Sequence, residues 1–158
     1  MRRLNQSGAT LVELLLSLAL IGLFAPLLAA SIYQLTTFTE KSQSRTQLLR
    51  NVNNAGYWFT SDVHRATGSN LINGAPAVNS VTLNWTEGSQ SRSSIYLVSG
   101  SNLIRQYGGE TRIIATDISG VSFSLSNGVV TFTLSLTSTD RWQINIQKAY
   151  EASFRYTG

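Results

Sequence analysis

Three patterns of apolar and polar positions succeed one another along the chain. Between Leu14 and Thr39 no residue is charged, a run of 26 positions in which Leu, Ala, Ile and Phe dominate as far as Tyr33. As a helix this run is about 39 Å long, and a bilayer core takes roughly 20 apolar residues. The run predicts a membrane-spanning helix. After residue 40 the apolar positions thin to a stripe: Leu48, Val52, Ala55, Phe59, Val63 and Ala66, at spacings of 4, 3, 4, 4 and 3. That is one face of an amphipathic helix. It predicts that the helix continues over residues 40–66, ended by Gly68-Ser69-Asn70. Gly56 lowers helix propensity inside it. Arg50, Tyr57 and His64 fall seven apart, on the side opposite the stripe. They form either a plain solvated face or a contact line to neighbouring subunits.

From residue 67 the period becomes two, the sign of β-strands. Val81, Leu83 and Trp85 alternate with polar residues; Ile95 and Leu97 lie on one face with Tyr96 and Val98 on the other. Turns are predicted at Glu87-Gly88-Ser89, Ser99-Gly100-Ser101-Asn102 and Gly108-Gly109. Asn127-Gly128 lies between the alternating runs Val121–Leu125 and Val130–Leu136, the strongest short-range hairpin signal. In the last segment seven of the eight even positions from 142 to 156 are apolar, Lys148 being the exception. It predicts a long strand or strand pair with Trp142, Ile144 and Phe154 turned inward. A one-sided antiparallel sheet needs a cover, and the amphipathic stripe is the available one. The fold class is therefore α+β: a long N-terminal helix on a C-terminal antiparallel sheet.

Composition narrows the functions. Charged residues are 13% of the 158, against roughly 25% in typical domains. The net charge is +4 and the pI 9.8, but the basic residues form no dense patch, so no nucleic-acid partner is indicated. The absence of Cys excludes disulfides, thiolate metal sites and a Cys nucleophile. A single histidine, His64, leaves no multi-histidine metal centre. Ser61, Asp62 and His64 have the residue types of a hydrolytic triad, but they sit within four positions of one helix. There is no phosphate loop. Glu87, Glu110, Asp117 and Asp140 lack the spacing of a calcium loop, although spacing does not address a calcium site assembled from distant loops. The glycosylation triplets Asn5-Gln6-Ser7 and Asn84-Trp85-Thr86 read as chance matches. No cofactor and no enzyme activity are expected.

The residues before the apolar run carry the most specific signal. Met1-Arg2-Arg3-Leu4-Asn5-Gln6-Ser7-Gly8 is followed by Ala9-Thr10-Leu11-Val12-Glu13. A carboxylate just inside an apolar helix is expensive, and such residues mark function; the bland alternative is a side chain that snorkels to the interface. The segment resembles the class III signal of type IV pilins and type II secretion pseudopilins: a short basic leader ending in Gly, then Thr-Leu-x-Glu with Glu fifth after the cut. Gly8 matches the cleavage position, Thr10-Leu11-Val12-Glu13 the stretch, and Gly22 a glycine common in the family's helix. Ala9 stands where Phe is usual, and Pro26 comes four residues before the commonest pilin proline. Residues Val81–Tyr107, Ile114–Asp117 and Val121–Ser124 are more loosely similar to the J class of minor pseudopilins and the W class of minor pilins.

The resemblance implies a leader at 1–8, a transmembrane or filament-core helix at 9–39, an amphipathic helix at 40–66 and a β-rich globular domain at 67–158. It implies cleavage after Gly8 by a prepilin peptidase, N-methylation of Ala9, and a helix break at Gly22 and Pro26. Glu13 would then offset the charge of a neighbouring subunit's N-terminus. Arg2 and Arg3 favour a cytoplasmic N-terminus, whereas Lys41, Arg45 and Arg50 oppose it; the resemblance implies leader inside and globular part outside. The expected function is that of a minor pilin or pseudopilin, a structural subunit of a type II secretion, type IV pilus or competence filament, whose partners are other pilins or pseudopilins and the membrane. The alternative is a single-pass, membrane-anchored β-domain that binds a ligand and does not polymerise. An ordinary signal peptide cut near Ala29-Ala30-Ser31 would need a shorter apolar run.

Overall fold

A computed structural model describes residues 10–155. Gly8 and Ala9 lie outside the described residues, as does Tyr156. Helix α1 spans Leu11–Arg65. The chain divides into two units, one up to Ser42 and one from Gln43 onward.

In the first unit the helix carries its apolar residues outward; Leu11, Leu15, Ile21, Phe24, Leu28 and Leu35 are all exposed. This helix is long and apolar enough to cross a membrane. The expected break at Gly22 and Pro26 is absent, because the helix passes through both. Proline forfeits one hydrogen bond, and its ring crowds the carbonyl four residues back. That residue is Gly22.

In the second unit the predicted stripe is the buried face: Leu48, Val52, Ala55, Phe59, Val63 and Ala66 all lie in the core. The expected single sheet is two antiparallel sheets. The first has five strands in the order β1 (Gly68–Ser69), β2 (Val81–Glu87), β3 (Gln90–Ser99), β4 (Asn102–Tyr107) and β5 (Glu110–Ala115). The second is β6 (Ile118–Ser126), β7 (Val129–Thr137) and β8 (Asn145–Ser153). Both are meanders of neighbouring strands, and the tight turns of β2–β3, β3–β4, β4–β5 and β6–β7 follow from local turn chemistry. Asn127 and Gly128 close β6 to β7 with φ of 51° and 78°, the positive pair that a two-residue hairpin requires. The loop between β1 and β2 ties the two sheets together: Val78 exchanges both backbone hydrogen bonds with Phe123 on β6, at 2.9 and 2.7 Å.

Phe59 sits where the helix meets both sheets. Its ring centroid is 5.4 Å from Tyr96 on β3, 5.5 Å from Phe123 on β6 and 4.8 Å from Phe132 on β7. Two further expectations are corrected. Gly68 and Ser69 do not merely end the helix; they pair with Asn84 and Leu83 as β1. The last strand starts at Asn145, not at Trp142, because Asp140 and Ser138 hold the preceding loop. Trp142, Ile144 and Phe154 are half-buried. Most of the buried face of the three-stranded sheet comes instead from β7, through Val130, Phe132, Leu134 and Leu136, joined by Phe123 of β6 and Ala152 of β8.

Candidate functional site

Two parts of the helix carry chemistry. The first is its start. Thr10 precedes the helix and caps it: its Oγ1 accepts the Glu13 backbone N–H at 3.3 Å, and its carbonyl accepts the Leu14 N–H at 3.1 Å. Thr10-Leu11-Val12-Glu13 thus has the form of a capping box. Its exposed Glu13 lies in the first helical turn, where the helix dipole favours a negative charge. The cap uses the Glu13 backbone N–H, while the carboxylate is favoured there by the helix dipole.

The second is the face opposite the stripe. Arg50, Tyr57 and His64 are all exposed. Tyr57 and His64 come together on a shallow groove of about 450 Å³ whose walls include Gly56, Thr60 and Tyr150; Arg50 lies outside it. The Tyr150 ring lies against Gly56, and its hydroxyl donates to the Val52 carbonyl at 3.0 Å. Burial pushes the Tyr150 pKa up. Lys148 Nζ donates to Asn53 Oδ1 at 3.0 Å beside it. Gly56, which looks in the sequence like a weak point, is required here by packing.

Sequence reasoning missed the most buried polar cluster. Asp62 is inaccessible and accepts a bidentate pair from Arg105 on β4, Nε to Oδ2 at 2.7 Å and Nη2 to Oδ1 at 2.9 Å. Tyr96 donates its hydroxyl to the same Oδ2 at 2.7 Å. The Arg105 pKa is raised, first by its hydrogen bond to Asp62; the Tyr96 pKa is raised by burial and then by the Asp62 charge. The guanidinium of Arg105 lies over the rings of Trp58 and Tyr107, 4.9 and 4.8 Å from their centroids. The signal was available: Asp62 stands three residues after Phe59 and four before Ala66, on the buried stripe itself. So the triad-like residue types part company, with Asp62 sealed in the core and His64 at the surface.

Of the acidic loop residues, Asp117 and Asp140 line a depression of about 260 Å³ with Ser44, Gln47 and Ser138. Asp140 accepts the Ser138 hydroxyl and the Trp142 N–H, each at 2.9 Å. A hydrogen bond from Ser44 leads the causes that hold its carboxyl below the usual range. Among the described residues no group of three or more His, Asp or Glu is placed to hold a metal. The chain matches no protein-family model, no curated protein and no solved structure.

Proposed function

We propose that this chain is a minor pilin or pseudopilin, a non-enzymatic subunit of a type II secretion, type IV pilus or competence filament. The observation that carries the reading is Glu13: an exposed carboxylate in the first turn of a helix whose large apolar residues are themselves exposed. A lipid-facing anchor gains from a carboxylate there only its interaction with the helix dipole. A bundle of such helices gains more, because each Glu13 meets the N-terminal ammonium of a neighbour in a medium of low dielectric constant. On this reading the N-terminus is cytoplasmic until a prepilin peptidase removes residues 1–8 and Ala9 is methylated. The β-domain lies outside the cytoplasmic membrane, and the chain then moves from the bilayer into the filament. Arg50, Tyr57 and His64 face neighbouring subunits.

The test is the mass of the mature chain purified from native membranes. A start at methylated Ala9 is expected, and Gly8→Leu should leave the leader attached, because the peptidase needs a small side chain before the cut. An intact Met1, or a cut near Ala30, overturns the reading.

A further inference from the structure

The apolar stripe of α1 does not by itself define where the helix sits. Along the five-stranded sheet a shift of four residues carries Leu48, Ala55 and Phe59 into the places of Val52, Phe59 and Val63, apolar onto apolar; against the three-stranded sheet it is opposed, because it sets Val52 where Gly56 meets Tyr150. Such a slip, four residues or about 6 Å, is one way for packed elements to find a second arrangement. Polar contacts are not so tolerant. The same slip would bring Trp58 or Ala66 to the place of Asp62 and leave Arg105 buried without its carboxylate.

We propose that Asp62, with Arg105 and Tyr96, is a register key: it fixes the axial position of the helix on the five-stranded sheet and is not there for stability. Three observations carry this. The carboxylate is fully used, with both oxygens engaged and one of them accepting two donors at 2.7 Å. Its partners lie on β3 and β4 of one sheet, directly opposite each other in the ladder. The three-stranded sheet has its own contact to the helix, through Tyr150 on Gly56 and Val52. With one key per sheet, the helix adds to the Val78–Phe123 tie in setting how the two sheets are placed in the core. Removing two charges from water offsets most of what their pairing returns, so a buried ion pair contributes little net stability while specifying one geometry. This inference does not depend on the filament reading.

The experiment uses the full chain in detergent, with spin-label pairs made possible by the absence of native Cys. One pair, Arg50→Cys with Thr86→Cys, spans helix and five-stranded sheet; the other, Arg50→Cys with Gln147→Cys, spans helix and three-stranded sheet. Each is measured with the polar key intact and with the key replaced by Asp62→Leu, Tyr96→Phe and Arg105→Met. With the key intact, both pairs should give one narrow distance. With the apolar key the chain should still unfold cooperatively, the first pair should spread or split by about 6 Å, and the second should stay narrow. Asp62→Leu alone, which strands Arg105, should lower the melting temperature far more than the triple replacement. The proposal fails if the first distance stays narrow and unshifted, if both pairs broaden alike, or if the triple variant does not fold.

Discussion

The Tyr150 ring covers the backbone of Gly56 so closely that a β-carbon on Gly56 would overlap its Cε1 and Cζ atoms. The ring is not free to retreat, being stacked on Phe132 at 5.9 Å and tied by its hydroxyl to the Val52 carbonyl. Gly56→Ala ordinarily favours a helix by up to about 1 kcal/mol, whereas overpacking costs about 1–3 kcal/mol. Gly56→Ala should therefore lower the melting temperature of the otherwise wild-type chain and raise it in a Tyr150→Ala background. A double-mutant cycle measures the coupling; additive effects would show that the two residues do not press on each other.

Opposite faces of one helical turn give the second prediction. Phe59 is 0% exposed and touches three other rings, while Tyr57 is 69% exposed. Phe59→Ala should cost about 3–5 kcal/mol, a large share of a total stability of roughly 5–15 kcal/mol. Tyr57→Ala should cost within about 1 kcal/mol. Chemical denaturation of the chain from Gln43 onward reads both. Equal costs would mean that the helix is not part of the core.

How much of this was legible in the sequence depends on the range of the contact. The stripe around Phe59 and the turn at Asn127-Gly128 were legible because period and turn chemistry are local. The Asp62–Arg105 pair was not, since its members are 43 residues apart and alternation does not say which inward position meets which. The division into two sheets was hidden for a similar reason. It occurs at Asp117, whose φ of 60° redirects the chain between β5 and β6; the period of two lapses there, with Ile113-Ile114-Ala115 in a row, but a lapse in alternation does not say whether the next strand joins the same sheet. Trp142 misled because the alternation continues into a loop that Asp140 closes by hydrogen bonds. For Glu13 the resemblance named a role, and the cap with Thr10 was legible as well, since Thr-x-x-Glu before an apolar run is a helix-start signature.

Asp140 makes stability depend on pH in a stated direction. Its carboxyl is held below the usual range by the Ser44 hydroxyl first, then by Ser138 and the Trp142 and Gln143 N–H groups. A carboxylate whose folded pKa is depressed contributes stability that is present above its unfolded pKa, about 4, and is lost as pH falls through the lower folded value. Asp140→Asn should thus destabilise the chain near neutral pH, and the difference from wild type should shrink below about pH 4. Thermal melts across that range, at fixed ionic strength, check the sign. A difference that is constant with pH would assign the contribution to hydrogen bonding alone.

Glu13 has two separable uses, and one substitution divides them. Its backbone N–H takes part in the Thr10 cap, a role that Gln fills as well as Glu, since either suits that position of a capping box. As a counter-charge to a neighbour's N-terminus it must be ionised, and Gln cannot substitute. Loss of the Thr10 cap by Thr10→Ala should cost the helix start about 1 kcal/mol but keep the charge. Co-purification from native membranes should therefore retain neighbouring subunits with Thr10→Ala and lose them with Glu13→Gln, while the melting temperature of the β-domain is unchanged in both. Neither Thr10 nor Glu13 belongs to the unit that begins at Gln43, so a shift in that melting temperature would point to a folding role. Full retention of neighbours with Glu13→Gln would leave the carboxylate only its interaction with the helix dipole and remove the electrostatic basis of assembly.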